Sequence, residues 1–127
     1  VGDGGVVGVY GDGSQRRSFL DIGEALAGTL AVMRGPDPEP FNVGSAETVS
    51  IAGLARLSAE VAGKRGRLAF EPDKPTGVRA RTSDNTRIAA QLGWCPQEPL
   101  RDGLARLYPW VAEQVARSER ACVDSAA

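Results

Sequence analysis

Short extended segments alternate with amphipathic stripes along this chain, and glycine or proline interrupts nearly every one of them. Val6 to Tyr10 reads as a strand entering a Gly11-Asp12-Gly13 turn, and Gln15 to Leu20 resumes an extended path. Asp21 then stands as the cap of a helix with Ile22, Ala25, Leu26, Leu30 and Met33 as its apolar stripe. Gly35 and the prolines at 36, 38 and 40 close it. Phe41 to Gly44 reads as a short strand, and Ser50 or Thr48 caps a helix carrying Ile51, Leu54, Leu57 and Val61. A turn at 63–66 leads into a strand from Arg67 to Phe70, and Pro72 and Pro75 bracket a loop. Asp84 is the expected cap of a helix with Ile88, Ala89 and Leu92, which stops at Gly93 ahead of a core Trp94. The last helix starts near Leu100 with Leu104, Leu107 and Val111 on one side, and Pro109 is expected to kink or restart it. The alternation is that of an α/β fold, yet the strands are few and widely spaced and the chain opens in mid-strand. It reads as part of a larger sheet.

At 127 residues the length is that of one domain, assigned to 1–117, with a small, polar tail at 118–127 expected to fray. Sixteen acids against 15 bases leave a net charge of −1, so no global field draws the chain to nucleic acid or anionic lipid. No apolar run approaches the ~20 residues that span a bilayer, and Val1 to Gly5 lack the basic and apolar regions of a signal peptide. The expectation is a cytoplasmic protein. Cys95 and Cys122 lie far apart and outside any CxxC spacing, so two free thiols are expected, with one disulfide as the alternative. Histidine is absent, which removes serine–histidine and cysteine–histidine nucleophile systems and every histidine-based metal site.

The most informative nine residues are Gly77-Val78-Arg79-Ala80-Arg81-Thr82-Ser83-Asp84-Asn85. Arg79 and Arg81 are two apart in an extended segment, so both guanidinium groups leave one face. Each is a permanently charged planar fork suited to phosphate or carboxylate. Beside a helix start, they suggest a held anion; the alternative is an exposed basic strand followed by a capped helix. The glycine-rich start is no dinucleotide loop. Gly2 and Gly4 would need a glycine at position 7, which is Val7, and a strand rather than a helix follows.

Three blocks in register resemble the C-terminal portion of the extended short-chain dehydrogenase/reductases that act on nucleotide sugars, the NAD-dependent epimerases and dehydratases. They are Gly11-Asp12-Gly13-Ser14-Gln15-Arg16-Arg17-Ser18-Phe19; Phe41-Asn42-Val43-Gly44-Ser45 leading to Val49-Ser50-Ile51; and Gly77 to Asn85 followed by Leu92-Gly93-Trp94-Cys95-Pro96 and Leu100-Arg101-Asp102-Gly103-Leu104. Within the family, the first and third blocks look closest to the GDP-mannose 3,5-epimerases. The resemblance implies a small mixed α/β substrate-binding subdomain of a Rossmann-type protein, with the N-terminal dinucleotide-binding half absent from this chain.

It further implies that Arg17 and Arg79 contact a substrate diphosphate, with Arg81 as a neighbour and Lys74 replacing Arg79 if the loop register slips. Arg16 is expected to be solvated. The implied ligand is a nucleotide-diphosphate sugar, and the implied cofactor of the complete enzyme is NAD, with none bound by this chain alone. The complete enzyme is expected to be a homodimer. Gly23 and Glu24 stand where the family often carries two aspartates, and Pro109 departs from an uninterrupted helix. The family's catalytic YxxxK is missing, because Tyr10 is followed four residues on by Ser14 and Tyr108 by Ala112. The chain is therefore expected to be the substrate-binding end of an epimerase, inactive and prone to self-association by itself. The alternatives are the same end of a 4,6-dehydratase, a non-catalytic nucleotide-sugar binding module, or a structural domain with surface arginines.

Overall fold

A computed structural model describes residues 4–124. In chain order the elements are β1 (Val6–Tyr10), β2 (Arg16–Ser18), α1 (Ile22–Arg34), β3 (Thr48–Ser50), α2 (Ile51–Val61), β4 (Arg67–Glu71), β5 (Ala80–Arg81), α3 (Thr86–Leu92) and α4 (Leu100–Asp124). β1 pairs with β4 in parallel. β2 is the centre of a second sheet, antiparallel to β3 on one edge and parallel to β5 on the other.

The turn between β1 and β2 joins the two sheets. Gly11 and Gly13 have φ of 74° and 71°, a region that side-chain-bearing residues rarely enter. Gly11 N–H donates to Glu71 O at 2.7 Å, and Gly13 O accepts from Ala52 N–H at 3.0 Å. A Cβ on Gly13 would sit 2.8 Å from Ala52 Cβ and 3.1 Å from Val9 Cγ1. Val9 and Ala52 are both buried, so the turn is packed against the core instead of standing open. Buried Gln15 fastens it from below, donating Nε2–H to Tyr10 O at 3.0 Å.

Side chains tie the helix ends together. Asp21 Oδ1 accepts from Gly23 N–H at 2.8 Å and caps α1. Arg106 Nη2 lies 3.1 Å from both Asp21 Oδ2 and Glu98 Oε1, linking α4 back to that cap. Glu24 accepts the N–H groups of Gln97 and Glu98, so the acid at this position orders the segment entering α4. Ser50 caps α2 through Gly53 N–H, and Gly93 ends α3 with φ of 63°.

Three sequence expectations differ from the structure. Phe41 to Gly44 is not a strand, and its last carbonyl is taken by a side chain at the start of α3: Asn85 Nδ2–H donates to Gly44 O at 2.6 Å. Asn85, not Asp84, occupies the cap position of α3; Asp84 Oδ1 instead accepts from Thr86 N–H at 3.0 Å and from Thr86 Oγ1–H at 2.6 Å. α4 runs through Pro109 without a break and continues to Asp124, past Ser118 where fraying was expected. Proline leaves the Ala105 carbonyl without its helical donor, and Ala105 is exposed, so water can serve it. Residues 125–127 of the expected tail lie outside the described residues, as does the side chain of Cys122; Cys95 is exposed.

On α1 the apolar stripe and the contact face are different sides of the helix. Its contact face centres on Gly28, where a Cβ would lie 2.6 Å from Val43 Cγ1 and 2.9 Å from the Trp94 ring. The apolar stripe of the sequence faces outward, with Ile22 at 72% and Met33 at 75% exposure and Leu26 and Leu30 also exposed. α1 is thus apolar on both sides, as helices enclosed by protein are. Among the described residues the buried apolar ones are few: Val9, Ala52 and Ile88.

These contacts set three expected outcomes in chemical denaturation. Ile88→Ala, at 1% exposure, should cost about 2–5 kcal/mol through the cavity it leaves, and Gly28→Ala about 1–3 kcal/mol by overpacking Val43 and Trp94. The third is pH-dependent. The Asp21 carboxyl is held below its usual 3.8, first by the Arg106 hydrogen bond, and Gly23 N–H adds to this against the opposing effect of burial. Its contribution to stability is complete above that usual value and is lost as pH falls through the lowered one. Melting temperature should therefore drop on acidification below about pH 4, and less steeply for Asp21→Asn.

Candidate functional site

A cleft of about 370 Å³ opens where the end of β2, the 42–45 segment and the 81–83 segment converge. Arg17, Ser18 and Leu20 form one wall, Asn42 to Ser45 a second, and Arg81, Thr82 and Ser83 the third. The β2–β5 pairing places Arg17 and Arg81 opposite each other as Cα partners. Adjacent strands lie about 4.8 Å apart, so the structure sets two guanidinium-bearing residues side by side at the cleft. Arg17 Nη1–H donates to Arg16 O at 2.7 Å. Among the described residues, neither arginine forms an ion pair with an acid. Like charges facing each other across strands are unfavourable, and an anion between them would turn repulsion into two charge-assisted contacts.

The other basic residues of the sequence reading fall elsewhere. Arg79 is not among the cleft-lining residues; its carbonyl accepts from Arg16 N–H at 2.9 Å. Its charge lies toward Asp12, whose carboxyl is held below its usual range first by hydrogen bonds from Ser14 and last by Arg79. Arg16 is exposed, and its guanidinium donates to Thr48 Oγ1 and to Thr48 O at 2.8 Å, so it braces the β2–β3 pair. Lys74 sits over the Tyr10 ring at 5.9 Å. The structure therefore brings together Arg17 and Arg81, with Arg79 beside the turn.

Sequence reading did not name the hydroxyls of the cleft, Ser18, Ser45, Thr82 and Ser83. Thr82 and Ser83 adjoin Arg81 in the sequence, and that was the available signal. Ser45 is buried and its Oγ accepts from Glu47 N–H at 3.1 Å, an environment no local pattern reveals. Asn42 donates Nδ2–H to Asp84 O at 3.0 Å. The glycine turn offers no cradle for a dinucleotide: a Cβ at Gly11 would strike Thr76 and Gln15, and one at Gly13 Ala52 and Val9. That turn does not fit NAD.

With this geometry in place, similarity to known proteins becomes specific. The chain is 39% identical over 118 residues to GDP-mannose 3,5-epimerase 1 of Oryza sativa subsp. indica, covering 93% of this chain and 31% of that protein. It is 35% identical over 113 residues to probable GDP-L-fucose synthase 1 of Oryza sativa subsp. japonica, covering 88% of this chain and 34% of that protein. The crystal structure of UDP-glucose 4-epimerase from Thermotoga maritima with UDP-glucose superposes with a TM-score of 0.79 at 26% identity, over 86% of this chain and 35% of that one. Over most of its length this chain is similar to nucleotide-sugar epimerases and reductases. It spans about a third of the length of those relatives and matches their C-terminal part. A further family structure, UDP-glucuronic acid 4-epimerase from Bacillus cereus, holds UDP-glucuronic acid and NAD and superposes with a TM-score of 0.75 at 25% identity, over 84% of this chain and 35% of that one. No protein-family profile matches the chain. Among the described residues, no helix is long and apolar enough to cross a membrane.

Proposed function

We propose that this chain is the substrate-binding end of an NAD-dependent nucleotide-sugar epimerase of the GDP-mannose 3,5-epimerase type, and that Arg17 and Arg81 grip the substrate diphosphate. One observation carries the reading: two arginines are register partners at the cleft, with no acid paired to either among the described residues. A diphosphate presents adjacent negative charges, and two planar forks from neighbouring strands match it. Arg79, two residues before Arg81, adds positive charge near the same strand and takes a secondary part. The neutral hydroxyls of Ser18 and Thr82 supply polar contacts without opposing charge. NAD in the complete enzyme is held outside this chain and supplies the hydride chemistry there. The cleft residues bind and orient, so their effect falls on substrate affinity more than on the chemical step. The GDP-L-fucose synthase similarity favours one second reading, in which the same cleft serves a reductase.

In the full-length protein carrying this sequence, Arg17→Ala and Arg81→Ala should each weaken GDP-mannose binding about 10- to 100-fold, with Arg79→Ala weaker in effect. Calorimetry of the three variants checks this, and unchanged affinity in Arg17→Ala and Arg81→Ala would overturn the assignment. The outward stripe of α1 gives a second test. In the complete enzyme that face is covered by the dinucleotide-binding part; in the 127-residue chain alone it should drive self-association. Sedimentation should show concentration-dependent association that Leu26→Glu with Leu30→Glu abolishes, whereas a monomeric parent chain would count against the covered face.

A further inference from the structure

The cleft has two walls without secondary structure, and side-chain hydrogen bonds hold them together. Asn85 Nδ2–H donates to Gly44 O at 2.6 Å, Thr82 Oγ1–H to Ser45 O at 3.3 Å, and Asn42 Nδ2–H to Asp84 O at 3.0 Å. The Asn85 contact is the shortest of the three, and the other face of its amide is fixed as well. Ser83 Oγ–H donates to Asn85 Oδ1 at 2.7 Å, so the amide has one orientation that satisfies both neighbours. The walls touch. A Cβ on Gly44 would lie 2.5 Å from Ser83 Cβ, a separation that real side chains do not adopt.

β5 is two residues long, and Arg81 is its last. A strand this short contributes little pairing to hold its end. The segment after Arg81 is placed by the Thr82 and Asn85 tethers, and these fix the third wall against the second. We propose that Asn85 is a positioning residue: through Gly44 and Ser83 it sets the separation of the cleft walls and thereby the place of Arg81 opposite Arg17. The inference rests on the diphosphate reading of the cleft and adds to it the residue that keeps the grip in shape. Asn85 itself does not line the cleft. Its effect on ligand binding must therefore pass through Arg81, which makes it separable from a plain contribution to folding.

The test is a double-mutant cycle in the full-length protein, with GDP-mannose titrated calorimetrically and melting temperature recorded in parallel. Asn85→Ala should weaken binding about tenfold in the parent and less than about twofold in an Arg81→Ala background. Asn85→Asp should match Asn85→Ala, because a carboxylate cannot donate to Gly44 O. Gly44→Ala, which forces the walls apart at Ser83, should show the same dependence on Arg81 and decides the question if Asn85→Ala does not fold. Equal losses in both backgrounds, or a lowered melting temperature with unchanged affinity, overturn the positioning role while a loss in Arg81→Ala leaves the diphosphate reading standing. Unchanged affinity in Arg81→Ala removes that reading, and this inference with it.

Discussion

β2 is three residues long and paired on both edges, and the geometry of the site depends on that pairing. On one side Arg17 is the Cα partner of Val49; on the other it is the partner of Arg81. Period-two alternation sends Arg16 and Arg17 to opposite faces. Arg16 is then free to brace Thr48, and Arg17 is delivered to the cleft. A one-residue slip would exchange those roles. The register is fixed from both ends: Gly13 and Gln15 carbonyls receive the first N–H groups of the α2 region, and Asp21 begins α1 shortly after the strand.

Several basic side chains outside the cleft meet acids: Arg106 bridges Asp21 and Glu98, Arg87 binds Asp37 at 2.6 Å, and Arg101 binds Glu60 at 2.8 Å. Arg17 and Arg81 are left facing one another. Two arginines that face each other with no acid between them among the described residues make a place where incoming negative charge is favoured. The surrounding polar groups are hydroxyls and amides, which impose no competing charge.

Most elements were legible from sequence because their signals are local. The Gly11-Asp12-Gly13 turn, the Asp21 and Ser50 caps and the Gly93 stop each depend on residues within a few positions. Misreadings arose where a distant partner decides. Phe41 to Gly44 has strand-like composition, but its last carbonyl is claimed by a side chain about forty residues away, a contact no local rule anticipates. For the α1 stripe the sequence stops short, because helical periodicity marks apolar sides without saying what covers them. At the cleft, the family resemblance supplied Arg17 and Arg79, and alternation supplied Arg79 with Arg81. Only the β2–β5 register showed that Arg81 is the residue opposite Arg17.

The parallel pairing of β1 with β4 carries a kinetic consequence. Val6 meets Arg67 and Tyr10 meets Glu71, so the first strand finds its neighbour only after about sixty intervening residues have been synthesised and gathered in. On an emerging polypeptide, β1 meets β4 only after β2, α1, β3 and α2 have been made. The Gly11–Gly13 corner, whose bonds reach both Glu71 and Ala52, is then a late closure that rewards completed neighbours instead of seeding them.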